Sequence, residues 1–444
     1  MSDQDHDHDA PGFAAVRRAA VDALDAGDPR EAFERLRKSL WYPWGRRLSP
    51  DELADGLAVL GRIVEAMEHP ELAAAAARAA ADIHDPDALY DLGYQLIDAG
   101  LPPIAAVVLA RCLEVVPGSE QIVTELVSAL ERTLAYRDAK ALLEAHPALV
   151  ESSFMCRYLL AYNAAMAGDL AATRAHAPLL VPTDDGQQYL ADRIASILAR
   201  ADRLAGVARL DGADLRGWHQ VLTGGVLTHL SPYGFDEPMH GRYAWLQDSP
   251  GRVRTGVDRL VLVLRAWGIE VPCVYAPPRR DDEIVAHIAA AALGVPVVPW
   301  PAIGVPAPGL VVVYDLGTLE GRDVDRLAER RPDQILYAHA TPWTEDGPIA
   351  PEVTTLLHQS ITPPWGERLV VEPDTGAARR AGADLRDAEA IAAEVAAAAP
   401  LEAEEVACDD LDGLLALVRS AGPPEPARRE RMWAGSPVPS NRFD

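Results

Sequence analysis

The stretch LYDLGYQLIDAGLPPIAAVVLARCLEVVP, Leu89–Pro117, decides how the N-terminal half of this chain is built. Leu89, Leu92 and Leu96 recur at helical spacing and make one apolar stripe. Gly100 and Pro102 interrupt it, and Ala105, Leu109 and Cys112 follow as a second stripe. Gly93 and Ala105 are small, so the two helices of this hairpin can approach closely.

One hairpin length downstream the same pattern falls on Val123, Leu126, Leu130, Ala139 and Leu143, and after another on Leu160, Ala161, Ala164 and Gly168. This order and spacing resemble the tetratricopeptide repeat (TPR), a helix–turn–helix unit of about 34 residues. The resemblance implies stacked hairpins whose curved surface binds a protein partner. Helices are expected to begin near Pro11, Pro29, Pro50, Pro70, Pro86, Pro102, Ser119, Arg137, Ser152, Asp169 and Asp184. The reading is a TPR-like helical repeat domain over 11–206, its irregular flanking helices acting as caps. The aromatic cluster Trp41, Tyr42 and Trp44 is read as a hydrophobic plug closing the end of the array, with a partner-docking patch as the alternative.

After Gly206 the texture changes to short apolar runs separated by helical patterns. Ser249 and Pro250 open a helix that Gly268 ends. Strands follow over 271–275, 295–300, 310–314 and 335–339, with helices between them, and His358 is placed after a further helix. Strands apolar throughout and alternating with helices predict a parallel sheet covered on both faces. The fold class is therefore two-domain: an all-α TPR-like solenoid, then an α/β domain with a mainly parallel, Rossmann-like sheet over 207–422. A Pro-rich tail, 423–444, is read as disordered, with Trp433, Pro437, Pro439 and Phe443 as anchors in the alternative that it packs back on a domain or binds a partner.

In such sheets ligands bind beyond the carboxyl ends of the strands. Those positions hold Arg279 and Arg280, then Asp315 to Thr318, then Ala340 to Trp343. The order helix, strand, helix ending in Leu-Gly, Val-Pro-Val strand and then VVVYDLGTL (311–319) resembles a type I phosphoribosyltransferase over roughly Tyr243 to Ala340. That family places two acidic residues and a Thr-Thr-Gly phosphate loop after the third strand. Tyr314 stands at the first acidic position, Asp315 at the second and Thr318 at the first Thr, while Leu319 and Glu320 depart from the loop. The resemblance implies an anionic, phosphoribosyl-type ligand, with Mg²⁺ if that site is live.

A second group of candidate ligand-binding residues, His219, His229, His240 and Arg242, lies among glycines and aromatics ahead of the sheet. Spacings of about ten residues between these histidines are not those of a helical metal site. No Gly-x-Ser-x-Gly elbow, dinucleotide fingerprint or phosphate-binding P-loop occurs. The expected function is an interaction or scaffold protein whose α/β domain binds a ligand without turnover. The alternative is an enzyme acting on a phosphorylated or nucleotide-like metabolite through Asp315, Thr318, Arg279 and Arg280.

Composition narrows the partners. The chain has 444 residues and a formal net charge of −26, spread over both halves, which argues against nucleic acid and anionic membranes. Cys112, Cys156, Cys273 and Cys408 are far apart, as expected of a reduced, cytoplasmic protein. No signal segment and no membrane-spanning run is read, and the first ten residues are read as a disordered acidic tail.

Overall fold

A computed structural model describes residues 12–233, 239–300, 307–372, 376–424 and 431–440; the acidic stretch 1–10 and Phe443 lie outside them. The chain divides into two units, one ending at Ile194 and the other starting at Ala195.

The first unit is helical. Its elements are α1 (Phe13–Asp25), α2 (Pro29–Leu40), α3 (Pro50–Ala66), α4 (Pro70–Ala81), α5 (Pro86–Asp98) and α6 (Pro102–Val115). They continue with α7 (Glu120–Arg132), α8 (Tyr136–Glu144), α9 (Pro147–Ser152), α10 (Phe154–Met166), α11 (Leu170–His176) and α12 (Asp185–Arg203), in which the division falls. Proline at the first helical position starts α2 to α6, where its missing N–H is no loss. Ser49 and Glu52 form a reciprocal capping box on α3, and Asp85 caps α5 through the amides of Asp87 and Ala88. The short α9 has no counterpart in the expected helices.

Consecutive helices pack on one another, α3 on α4, α5 on α6 and α10 on α11, and each hairpin packs on the next. One continuous core runs from Ala20 to Leu160. The expected close approach is at Gly93, where a Cβ would stand 2.5 Å from Leu109 Cγ. Gly93→Val is therefore expected to destabilise this unit by about 1–3 kcal/mol through overpacking. In urea unfolding, Leu109→Ala in the same chain should recover part of that loss; strictly additive effects would show that the two positions are not in contact.

The aromatic cluster does not close an end of the array. The Tyr42 amide donates to Pro103 O at 3.0 Å, and Gly45, in a 3₁₀ turn over Trp44–Arg47, sits against Leu40 and Val107. The cluster therefore joins α2 to α6, with Trp44 more than half exposed.

The second unit opens with the end of α12, where Arg200 donates to the carbonyls of Val221 (2.7 Å) and Leu222 (3.2 Å). Then come α13 (Leu215–Thr223), β1 (Val226–Leu227), β2 (Tyr243–Gln247), α14 (Pro250–Trp267), β3 (Val274–Ala276), α15 (Arg280–Leu293), β4 (Val297–Pro299) and β5 (Gly309–Asp315). After these are α16 (Arg322–Ala328), β6 (Gln334–Pro342), β7 (Val353–Thr362), β8 (Arg368–Val371), β9 (Ala378–Ala381), α17 (Ala388–Ala397) and α18 (Leu411–Ala421). A seven-stranded sheet, with every pairing parallel, runs β1-β7-β6-β5-β3-β4, and β2 also pairs with β7. β8 and β9 form a separate hairpin.

β1 and β2 share one edge of β7: Val226 is opposite Val353 near its start and Tyr243 opposite His358 farther along. The chain leaves the sheet after His229, whose amide still donates to Thr355 O, and returns at Tyr243. Alternation along β5 sends Leu310, Val312 and Tyr314 into one core with α14, α15, α17 and α18, and Val311 and Val313 into another with Leu327 of α16. Gly268 ends α14 with φ of 69°, as its position in the sequence predicts.

Two expectations change. The segment before His358 is a strand, not a helix: Val353, Thr354 and Thr355 are β-branched, and the segment is inserted between β6 and β1. The described part of the tail packs back on the unit, Met432 exchanging both backbone hydrogen bonds with Gly347 while Met432, Ala434 and Val438 are buried. Among the described residues, no helix is long and apolar enough to cross a membrane.

Candidate functional site

From β3 the chain runs out to the edge strand β4 and then returns to β5 on the other side of β3. This reversal is a topological switch point, and the crevice beyond β3 and β5 is where such sheets bind ligands. Arg279 is the residue before α15, and Asp282 lies in that helix's first turn. Asp315 ends β5 and caps the 3₁₀ turn Leu316–Thr318.

Asp282 is completely buried. Its Oδ1 accepts the Tyr314 N–H at 2.8 Å. Its Oδ2 lies 3.8 Å from Arg279 Nε and has no hydrogen-bond partner. Burial pushes this carboxyl up to about 7; the Tyr314 amide and Arg279 pull the other way, and the charges of Asp281 and Asp315 add to the rise. Arg279 donates to Thr318 Oγ1, and its Nη1 is buried without a partner. Asp315 Oδ1 accepts from the Gly317 amide at 2.9 Å and faces His358 Nε2 at 3.0 Å. A neutral His358 thus carries its proton on Nε2 and leaves a bare acceptor at Nδ1, which is buried and unpartnered.

Of the residues expected at the strand ends, Asp315, Thr318 and Arg279 meet. Arg280 does not join them; its guanidinium donates to the carbonyls of Asp384 (2.5 Å) and Arg386 (2.8 Å). Tyr314 points through the opposite face of the sheet, its hydroxyl donating to Asp248 Oδ2 at 3.0 Å. The donor set does not fit a magnesium–pyrophosphate group: the one carboxylate left from the acidic pair is occupied by His358 and Gly317, and Thr318 donates back to Asp315 O at 2.8 Å. Among the described residues, no three His, Cys, Asp or Glu side chains are grouped to hold a metal ion.

The second expected group separates. His219 and Arg242 line one pocket with Trp343. His240, two residues before Arg242, has a left-handed φ of 44°, its ring pKa lowered by partial burial and by the Arg242 charge. His229 belongs to a buried polar chain instead. Its Nδ1 meets Asp409 Oδ2 and its Nε2 meets the Tyr243 hydroxyl, each at 2.7 Å. Asp409 also takes Arg259 at 2.5 Å and the Leu230 amide at 2.6 Å. Nearby, Asp248 is held by His339 at 2.9 Å and by Arg252 at 3.3 Å, and Arg252 lies over the Tyr243 ring. Asp248, Arg252, Arg259, Asp282 and Asp409 are not legible as a site: Arg252 and Arg279 lie within a turn of Asp248 and Asp282, but His339, His229 and Tyr314 reach these groups from far along the chain; the dense ionisable residues around α14 are the available signal.

No protein-family model matches the chain, and no curated protein matches it.

Proposed function

We propose that the chain is an interaction protein: TPR-like hairpins in the first unit hold a protein partner, and the α/β unit binds a small polar metabolite without turning it over. The observation that carries the ligand half is the pair of unsatisfied groups at the switch point, Asp282 Oδ2 and Arg279 Nη1. Buried polar atoms without partners are uncommon, and a carboxylate beside a guanidinium suits hydroxyls next to an anionic group, as on a sugar phosphate. The self-closed Asp315–Thr318 turn supports binding over phosphoribosyl transfer.

The test is a thermal-shift screen of the full chain with ribose 5-phosphate, phosphoribosyl pyrophosphate and nucleotides, with and without Mg²⁺. A true ligand at a hundred times its Kd should add about 2.7 kcal/mol. Arg279→Gln should abolish most of that gain; a gain that survives the substitution places the ligand elsewhere, and a silent screen removes the reading. Consumption of a bound compound, followed by phosphorus NMR, replaces binding with the enzymatic reading. The partner half predicts a protein held by the full chain and lost when the exposed aromatics Trp44, Tyr94 and Tyr189 are all changed to Asp.

A further inference from the structure

The C-terminal segment 431–440 lies over a pocket whose polar groups it satisfies poorly. Arg242 is only 2% exposed, yet among the described residues no carboxylate pairs with it. Its guanidinium reaches the carbonyls of Val438 and Pro439 at 3.2 Å and of Met239 at 3.4 Å, the long end of hydrogen bonding. Its Nε has no partner, and the group lies over the Trp343 ring at 5.5 Å. Burial pulls the Arg242 pKa down to about 9.

His219 lines the same pocket, 5% exposed, with its Nε2 buried and unpartnered. Burial, then the charge of Arg242, hold its pKa near 4, so the ring is neutral at neutral pH. The remaining walls include Leu215, Leu222, Leu357 and Met432. A buried cation met only by carbonyl dipoles is an incomplete arrangement, because partial charges do not replace a counter-ion in a dry site.

We propose that this pocket binds a small monocarboxylate with an apolar body, which takes the guanidinium from the carbonyls of Val438 and Pro439 and also hydrogen-bonds to His219. The charge count selects the class. One guanidinium beside a neutral imidazole matches one negative charge, and a phosphate dianion would leave the second charge unmatched among leucines. The apolar walls select the body of the ligand. The C-terminal segment then acts as an occupant that the ligand displaces, so binding and release of 438–439 are coupled. This site is separate from the strand-end crevice and does not rest on the function proposed for it.

The probes are benzoate, acetate and inorganic phosphate, added to the full chain in calorimetry, with hydrogen exchange on the same samples. Benzoate is expected to saturate and to bind at least ~tenfold more tightly than acetate, because its ring buries more apolar area. His219→Gln and Arg242→Lys should each weaken benzoate by ~tenfold or more, the loss of a hydrogen bond to a charged group. The first leaves the buried guanidinium in place, so it reads binding even if the second unfolds the chain. Amide exchange at Val438 should accelerate on adding benzoate. The proposal is overturned by phosphate binding as tightly as benzoate, by no saturable benzoate signal, or by benzoate binding unchanged in His219→Gln. Binding with unaltered exchange at Val438 overturns the displacement.

Discussion

Asp409→Asn is expected to lower the stability of the second unit by about 3–5 kcal/mol, the range for removing one partner of a buried ion cluster. Asp409 is 3% exposed and stands just before α18, in irregular chain. Its carboxylate joins segments that no local contact would bring together: His229 and Leu230 after β1, and Arg259 in α14. Arg216 adds a fourth group, donating to the Asp409 carbonyl at 2.9 Å with its other nitrogen 3.7 Å from the carboxylate. Asparagine keeps the shape and removes the charge, leaving two buried guanidinium groups without their carboxylate. Urea unfolding followed by tryptophan fluorescence measures the effect. Glu404→Gln, an exposed change nearby, should stay within about 0.5 kcal/mol of the parent. Equal behaviour of the two variants would mean that the cluster is not fully dehydrated.

The same cluster predicts the direction of the pH response. Burial raises the Asp409 pKa, but the His229 bond and charge, Arg259 and the Leu230 amide outweigh it and leave the carboxyl below its ordinary value. Burial lowers the His229 pKa against the pull of Asp409. Outside the cluster, His219 falls to about 4, by burial first and then by the Arg242 charge. In each case the native state holds fewer protons than the unfolded chain. Stability from these groups is therefore present above the unfolded histidine value of about 6.5 and is lost as pH falls below it, with the Asp409 share going last, below about 4. Asp409→Asn should accordingly flatten the acid end of that profile as well as lower it.

What the sequence revealed was whatever is encoded locally. Proline at the first helical position and Asp or Ser caps marked α2 to α7 to within a residue or two. Glycines at 268 and 294 marked helix ends, and the apolar runs 310–313 and 335–338 marked the centres of β5 and β6. The split edge was hidden because β1 is two residues long and becomes a strand only by pairing with β7. β7 is not legible because its LLHQ centre carries no alternation and two of the strands it pairs with, β1 and β2, lie far away in sequence. The clusters at Asp248 and Asp409 were hidden for the same reason: His339 is 91 residues from Asp248, and His229 is 180 from Asp409. At the candidate site, Asp315, Thr318 and Arg279 could be placed at strand ends by topology. Asp282 lies in the first turn of a helix, where an acid is favourable in any case, and no local pattern distinguishes a solvated N-terminal acid from one sealed beneath β5.

Asp282 supplies the second large effect, of opposite sign. Its carboxyl is buried, titrates near 7 because of that burial, and accepts one hydrogen bond where a carboxylate has room for several. The native state thus binds a proton that the unfolded chain, with an aspartate value of about 3.9, has already released. Stability from this group is intact below about pH 4, declines as pH rises toward 7, and stays low above that. Asp282→Asn keeps an oxygen for the Tyr314 amide and removes the charge that burial penalises, at the loss of the Arg279 ion pair. The variant is therefore expected to be more stable than the parent by about 1–3 kcal/mol at about pH 8 and no more stable at about pH 4. Urea unfolding at both pH values reads the difference. A gain that is independent of pH would mean that the carboxylate is solvated after all, and a loss at the higher pH would mean that Arg279 compensates it fully. Stabilisation by removing a buried charge at a strand-end crevice is the pattern of a group kept for binding rather than for folding. The same substitution should therefore also abolish the ligand-induced shift proposed for this crevice, because the hydroxyl acceptor at Oδ2 becomes an amide donor or turns away. A variant both more stable and still able to bind would separate Asp282 from that site.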